Sequence, residues 1–260
     1  MTHRLASAGV AAFRDGFETG RLDPARWIAA YLPQWSTPDR TAARYRFDRE
    51  RLALEISAET VPWCPQHDGE LRVSSIQTGV FSGPAGSPIG QHRFADAVRV
   101  VTPQPARWLY TPTFARVGIR ASAIADPRAM VALWMIGTEE VPEASGEICV
   151  MEVFGRDVAP DRAGIGMGVH PHHDPRLRDD FERVEVALDV TEPHDYVAEW
   201  TPSGITWSVD GRVARTSAQS PGYPMQLMLG VYAFAGLGRD ERPLAFFVER
   251  VTGDPIEPPP

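Results

Sequence analysis

The sequence has no lysine, only two cysteines and no long apolar run, and each of these absences excludes a class of protein. All 26 basic residues are arginine and 34 residues are acidic, so the formal net charge of −8 disfavours a nucleic-acid partner. Cys64 and Cys149 are too few for the framework of a disulfide-rich protein. No apolar run approaches the roughly 18 residues of a membrane span, so we expect no membrane partner.

The organisation along the chain predicts one domain. The 24 prolines and 22 glycines are spread over 260 residues, which is typical of many short strands joined by turns. No repeat or flexible linker divides the chain, so we expect a domain over residues 13–251, an N-terminal segment 1–12 and a C-terminal tail 252–260. No signal peptide is visible at the amino terminus, which favours a cytoplasmic protein but leaves open a secreted parent whose leader was removed before Met1. We expect a monomer.

Strand patterns dominate the sequence. Apolar and polar residues alternate over 51–58 and 225–231, and Asp210-Gly211 separates two further alternating segments as in a β-hairpin. The glycine-rich segment 164–168 follows no strand–turn–helix pattern, and we interpret it as a loop. These patterns predict an all-β protein, either a β-sandwich or a jelly roll.

The segment 144–154 is apolar but contains two carboxylates, Glu147 and Glu152. Because an unpaired buried carboxylate is costly, such residues normally face a cleft, form pairs or perform chemistry. In a regular strand these two positions point to opposite faces, whereas a one-residue bulge between them puts both on one face together with Cys149. Their carboxyl groups then come within reach of the roughly 5–5.5 Å separation of a retaining glycosidase. From the spacing alone, both arrangements stay open.

Several motifs, in order along the chain, resemble glycoside hydrolase family 16, the laminarinase-like endo-glycanases. The segment Glu147–Glu152 (EICVME) resembles the family signature E-[IL]-D-x-x-E. The segments 13–27, 132–137, 194–214 and 246–251 resemble the opening motif, the strand before the catalytic strand, the F-H-x-Y-x-x-E-W-T-P motif and a closing strand. The resemblance covers most of the chain. It implies a concanavalin-like jelly roll of two curved antiparallel sheets with an open concave cleft.

The resemblance also implies an activity and its residues. Glu147 resembles the nucleophile and Glu152 the general acid/base of a retaining double displacement on β-1,3-glucan or mixed-linkage glucan. Cys149 stands where the family has a central Asp, so we expect Glu152 to hold its proton less firmly and hydrolysis to be weakened. A catalytically weakened glycan-binding protein and a structural module on the same fold are the alternatives.

The resemblance points to further residues that contact a polysaccharide or oligosaccharide substrate. Flat sugar faces stack on aromatic rings, and hydroxyl groups need polar partners. By position the resemblance implies Trp134, His170 and Arg120 as substrate-binding residues. Proline-rich irregular segments contain three further candidates that could extend the cleft, Trp108, Trp63 and Trp35. For Trp134 the alternative is a core tryptophan, and for His170 a histidine satisfied within a strand.

The run His170–Asp174 combines imidazole and carboxylate groups, which suit zinc. Two prolines stiffen this loop, and no obvious further ligand stands elsewhere in the sequence, so we expect no metal and no cofactor. The resemblance allows a structural calcium ion. Cys149 with His170 as a base would make a nucleophilic thiol, but two neighbouring acids would raise the pKa of that thiol.

Overall fold

The computed structural model describes residues 11–256. Its strands are β1 (Phe13–Asp15), β2 (Tyr45–Asp48), β3 (Arg51–Ile56), β4 (Arg72–Gln77), β5 (Gly79–Val80), β6 (Arg107–Trp108), β7 (Ala115–Ser122), β8 (Ala129–Gly137), β9 (Glu147–Phe154), β10 (Val158–Ala159), β11 (Arg162–His170), β12 (Asp180–Val186), β13 (His194–Thr201), β14 (Gly204–Val209), β15 (Arg212–Ser217), β16 (Met225–Ala233) and β17 (Leu244–Pro255). The helices are α1 (Pro38–Thr41) and α2 (Pro65–Asp68), and 3-10 turns occupy Pro33–Trp35 and Gly155–Asp157. No helix in residues 11–256 has the length and hydropathy to cross a membrane.

The strands form two antiparallel sheets, as the alternating patterns predict, and the fold is a jelly-roll sandwich. Sheet A has the order β15-β14-β13-β7-β17-β3-β2, with β1 beside β17. Sheet B has the order β10-β11-β9-β8-β16-β4, with β12 beside β11. A two-stranded sheet of β5 and β6 lies apart from both.

Sheet B has apolar side chains on both faces. One face packs against sheet A through residues such as Leu133, Val150 and Leu229, which lie in the main core. The other face carries a second cluster that includes Trp134 and Cys149, and loop residues pack onto it. Because loops cover part of this second face, sheet B is not bare there, and the site described below lies among those loops.

Strand β9 contains a bulge at Val150. Leu133 of β8 pairs with Met151, but the next residue, Trp134, pairs with Cys149, so β9 has one extra residue. Val150 and Met151 are consecutive, and yet both lie in the core between the sheets. The bulge therefore shifts the alternation of β9 by one residue between Glu147 and Glu152.

Two segments differ from the sequence-based expectation. Strand β17 continues to Pro255 and pairs with β1 and β7, so residues 252–255 belong to sheet A rather than to a tail. The glycine-rich segment 164–168, interpreted as a loop, lies within β11 and pairs with β9 and β12. The glycines mask the strand alternation because they carry no side chains. Residues 1–10 and 257–260 of the expected terminal segments lie outside the described residues.

Trp207 connects sheet A to the bulge. Its indole Nε1 donates a hydrogen bond of 2.8 Å to the main-chain oxygen of Cys149, and its ring is fully buried. We expect Trp207→Phe to lower the free energy of unfolding by about 1–3 kcal/mol, because the Cys149 carbonyl loses its partner in the interior. Urea unfolding followed by fluorescence measures this loss.

The matched control is Trp200→Phe, which removes the same atoms from a buried indole that donates to Pro221 and Ser220. Both substitutions should destabilise the fold, but only Trp207→Phe should shift the side-chain NMR signals of the β9 glutamates. An unchanged unfolding midpoint in Trp207→Phe would contradict this role.

Candidate active site

The bulge places both glutamates of β9 on the loop-covered face of sheet B. Glu147 pairs with Ile136 and Cys149 with Trp134. Ile136, Trp134 and Cys149 all belong to the second apolar cluster. Glu152 pairs with Ala132 of the same cluster. Of the two arrangements left open by the spacing, the structure has the one with Glu147, Cys149 and Glu152 on a common face.

Both carboxylate oxygens of Glu147 are hydrogen-bonded. The Cys149 thiol donates to Oε1 at a Sγ–O distance of 3.0 Å, and Nε2 of His172 lies 2.8 Å from Oε2. Burial on its own would raise the pKa of Glu147, but the hydrogen bond and charge of His172 outweigh burial and lower this pKa to about 2. Glu147 is therefore ionised at neutral pH. Burial on its own would lower the pKa of His172, but the hydrogen bond and charge of Glu147 outweigh burial and raise it.

Glu152 has the opposite character. Burial, followed by the charge of Glu147, raises the pKa of Glu152 to about 7. Burial and Glu147 thus raise this pKa without a central Asp, and the expectation that Glu152 holds its proton less firmly with Cys149 than with an Asp stays a prediction. One carboxylate ionised and its neighbour protonated is the division of roles that acid-assisted displacement requires.

Cys149 is a neutral thiol. Burial and then the charges of Glu147 and Glu152 raise its pKa well above the ordinary value. A thiolate nucleophile at this position is therefore unsupported. The thiol acts instead as a hydrogen-bond donor to Glu147.

No sequence pattern indicated His92 or Glu139 as residues of the site, or the contact between His172 and Glu147. His92, Glu139 and His172 each have a left-handed backbone, with φ of 49°, 55° and 44° respectively. Such conformations are strained for residues with side chains and concentrate at functional sites. All three line one cavity of about 150 Å³, together with Arg93, Phe94, Ser145 and His173. His172 stood in the run singled out for metal, but nothing in the local sequence marks His92 or Glu139.

Contacts within the cavity hold these groups in place. The main-chain N–H of His92 donates to Glu139 Oε1 at 2.6 Å, and the His92 ring packs edge-on against His172, with centroids 4.9 Å apart. Burial raises the pKa of Glu139 to about 7, whereas burial followed by the charge of His172 lowers the pKa of His92 to about 4. At neutral pH the cavity thus holds an uncharged imidazole beside the Glu147–His172 pair.

The expected aromatic residues have different environments. Trp134 lies on the site face, where its Nε1 donates to the Tyr232 hydroxyl at 2.9 Å and its ring lies 5.2 Å from that of His92. Trp35 and Trp63 are only 1% exposed within the second cluster, so their rings are buried and do not extend an open cleft as expected. Trp108 is half-buried on β6 and lines a separate cavity with Phe13, Arg26 and Tyr110.

Arg120 does not lie at this site. It is on β7 of sheet A, where it forms ion pairs with Glu249 and Asp195. The structure therefore places Arg120 on the sheet that does not carry the paired glutamates, and a role for Arg120 in substrate binding stays a prediction. His170 does lie at the site: it ends β11, its Nδ1 is 2.6 Å from Asp179, and its ring stacks on Phe181.

The run His170–Asp174 does not form a metal site by itself. Asp174 is almost fully buried and pairs with Arg176. The side-chain groups of residues 11–256 with metal-ligand spacing contain imidazole or a thiol, which do not fit the all-oxygen coordination of calcium. These side-chain groups are therefore not calcium sites, and the structural calcium ion that the resemblance allows stays a prediction.

Comparisons with known proteins found a family model and solved structures that are similar to this chain. The family model described as "Glycosyl hydrolases family 16" matches residues 110–238, a segment that contains all of β9. A search of curated proteins found no match.

Solved structures share the fold over nearly the whole chain. A GlcNAcα1-4Gal-releasing endo-β-galactosidase from Clostridium perfringens superposes with a TM-score of 0.79 and 25% identity, over 97% of this chain and 64% of that chain. The catalytic domain of an endo-1,3-β-glucanase (laminarinase) from Thermotoga petrophila superposes with a TM-score of 0.63 and 16% identity, over 94% and 96%. A laminarinase from Rhodothermus marinus superposes with a TM-score of 0.64 and 18% identity, over 96% of this chain and 98% of that chain.

The fold is thus the jelly-roll sandwich of these enzymes. Over residues 110–238, just under half of its length, the chain is similar to glycosyl hydrolase family 16, and the structural neighbours share its fold. The chain spans less than two thirds of the length of the Clostridium enzyme.

The coupling between the two glutamates is open to a direct test. Glu147→Gln removes a charge that raises the pKa of Glu152, so we expect that pKa to fall from about 7. It should remain above the ordinary value of a glutamate, because burial persists. NMR titration of carbon-13-labelled glutamate side chains measures the shift.

The matched control for this titration is Glu199→Gln, since Glu199 is exposed on sheet A and pairs with Arg116. That substitution should leave the titration of Glu152 unchanged. An unaltered Glu152 titration in Glu147→Gln would show that the two carboxylates do not interact.

Proposed function

We propose that the chain is a retaining glycoside hydrolase in which Glu147 is the nucleophile and Glu152 is the general acid/base. The observation that carries this proposal is the bulged strand, which presents both glutamates on one face. The ionised state of Glu147 and the raised pKa of Glu152 add support. Neither feature is needed by a protein that only binds glycans.

The first step is displacement at the anomeric carbon. A carboxylate oxygen of Glu147 attacks this carbon while the carboxylic acid of Glu152 protonates the departing glycosidic oxygen. The product is a glycosyl ester of Glu147. Because the ester carries no charge, the hydrogen bond from His172 to Glu147 must weaken or break as the bond forms.

The second step hydrolyses this ester. Glu152, now ionised, takes a proton from a water molecule as the water attacks the anomeric carbon. The carbon–oxygen bond to Glu147 breaks, the carboxylate re-forms and the sugar leaves with its original configuration. His172 and the Cys149 thiol then donate again to the restored carboxylate.

Two substrate classes are supported by different observations. The sequence motifs favour endo-action on β-1,3-glucan or mixed-linkage glucan, and two of the neighbours are laminarinases. The higher TM-score and identity of the endo-β-galactosidase favour β-galactosidic glycans. Because Trp35 and Trp63 are buried, two of the rings expected to extend a groove for a glucan chain are not available to stack on sugars.

We expect hydrolysis on a panel that contains laminarin, lichenan and a GlcNAcα1-4Galβ-linked glycan, measured by released reducing ends. Glu147→Gln and Glu152→Gln should each lower kcat by at least about 100-fold, since one removes the nucleophile and the other the proton donor. Glu199→Gln, on sheet A, serves as the control and should retain full activity.

Proton NMR of the first product distinguishes retention from inversion, and an inverted product would rule out Glu147 as the nucleophile. Binding of a glycan without turnover, by a folded chain, would favour the glycan-binding protein instead. Absence of both binding and turnover on the whole panel would favour a structural module.

The pH dependence follows from the protonation states. Glu152 must be protonated in the first step, so kcat/KM should fall as the pH rises through about 7. On the acid side Glu147 stays ionised down to about pH 2, so activity should persist until the fold itself is lost. A pH profile of kcat/KM between pH 4 and 9 (roughly three units below and two above the Glu152 pKa) measures this. A profile that rises with pH across this range would exclude Glu152 as the acid.

A further inference from the structure

Histidines concentrate around the proposed nucleophile. Of the seven histidines in the sequence, His92, His172 and His173 line the cavity of about 150 Å³, and a ring nitrogen of His170 lies within 4.8 Å of donor atoms of Glu147 and Cys149. The nearest pair is His172 Nε2 and Glu147 Oε2, which are 2.8 Å apart. Donor atoms of His92, Glu147 and His172 all lie within 4.8 Å of one another.

The three groups are held in place from outside the cluster. The Cys149 thiol occupies Oε1 of Glu147, which leaves Oε2 directed at the histidines. Glu139 holds the main chain of His92. The N–H of the next residue after His172 donates to the Ser145 hydroxyl at 2.9 Å, which fixes that loop. Supporting contacts of this kind orient the ligands of metal sites.

Two imidazoles and one carboxylate are a donor set that suits zinc and similar ions. Zinc lies about 2.0–2.2 Å from such donors, so neighbouring donor atoms around it are about 3–4 Å apart. Donors already within 4.8 Å of one another need only a small side-chain movement to close around an ion. The adjoining cavity leaves space for a fourth ligand such as water.

We propose that His92, Glu147 and His172 form a binding site for a divalent transition-metal ion of the zinc class. The ion takes the Glu147 oxygen that His172 otherwise contacts. A carboxylate bound to such an ion cannot attack an anomeric carbon, so the ion is a reversible inhibitor. This inhibitory consequence rests on the proposed function, whereas the binding site itself does not.

Binding is tested on the full chain by calorimetric titration with Zn²⁺ and by the visible absorption of Co²⁺. We expect one ion per chain. His92→Ala and His172→Ala should each weaken binding by at least about 100-fold, because even supporting residues change metal affinity by about 10–100-fold. Where an alanine variant fails to fold, as judged by circular dichroism, His92→Gln or His172→Gln replaces it.

Two further variants locate the site. His194→Ala removes a histidine of sheet A that contacts Asp210, and it should leave binding unchanged. His170→Ala should also leave binding unchanged, because the alternative group of His170, Cys149 and Glu147 is not the proposed site. Absence of Zn²⁺ binding, binding that survives both His92 and His172 substitutions, or equal competition by Ca²⁺ would overturn the proposal.

Activity assays then separate this proposal from the proposed function. A chain that binds Zn²⁺ and hydrolyses a glycan should lose activity as the ion saturates His92, Glu147 and His172, and chelation should restore it. Zn²⁺ binding by a chain with no hydrolytic activity would remove the proposed function but leave the metal site. Hydrolysis by a chain that does not bind Zn²⁺ would remove the metal site but leave the proposed function.

Discussion

The site depends on one extra residue in strand β9. Without Val150, the pleat of the strand would place Glu152 on the face opposite Glu147, inside the core between the sheets. With Val150 present, the carboxylates of Glu147 and Glu152 share the loop-covered face, and the Val150 side chain lies in the core between the sheets. Beside the bulge, Trp207 of the opposite sheet donates a hydrogen bond to the Cys149 carbonyl oxygen. The placement of the two glutamates and the packing of the sheets are therefore linked at this part of β9.

A buried negative charge organises the side chains around this bulge. Glu147 is 9% exposed and ionised, so its charge needs partners, and both of its oxygens have one. The same charge helps to keep the proton on Glu152 and raises the pKa of His172. Two carboxylates five residues apart thus acquire opposite protonation states. The difference arises from His172, which contacts one of them.

The strands and the paired glutamates were predictable from sequence, because periodicity, turn residues and an ordered set of motifs are local signals. Residues 164–168 were not, since glycines carry no alternation. Trp35 and Trp63 were assigned to an open cleft, although they are core residues of a second cluster. His92 and Glu139 reach the site only through long-range folding of loops with left-handed backbone. No local sequence pattern marks residues that only long-range folding brings together at one site.

The thiol of Cys149 is consistent with this electrostatic arrangement. A third ionised carboxylate between Glu147 and Glu152 would add like charge to a buried face and would itself need a donor. The thiol instead stays protonated and donates a hydrogen bond to Glu147, so it orients that carboxylate without adding charge. Burial then provides the larger part of the shift that keeps Glu152 protonated. A cysteine at this position therefore orients the Glu147 carboxylate and adds no charge to the site.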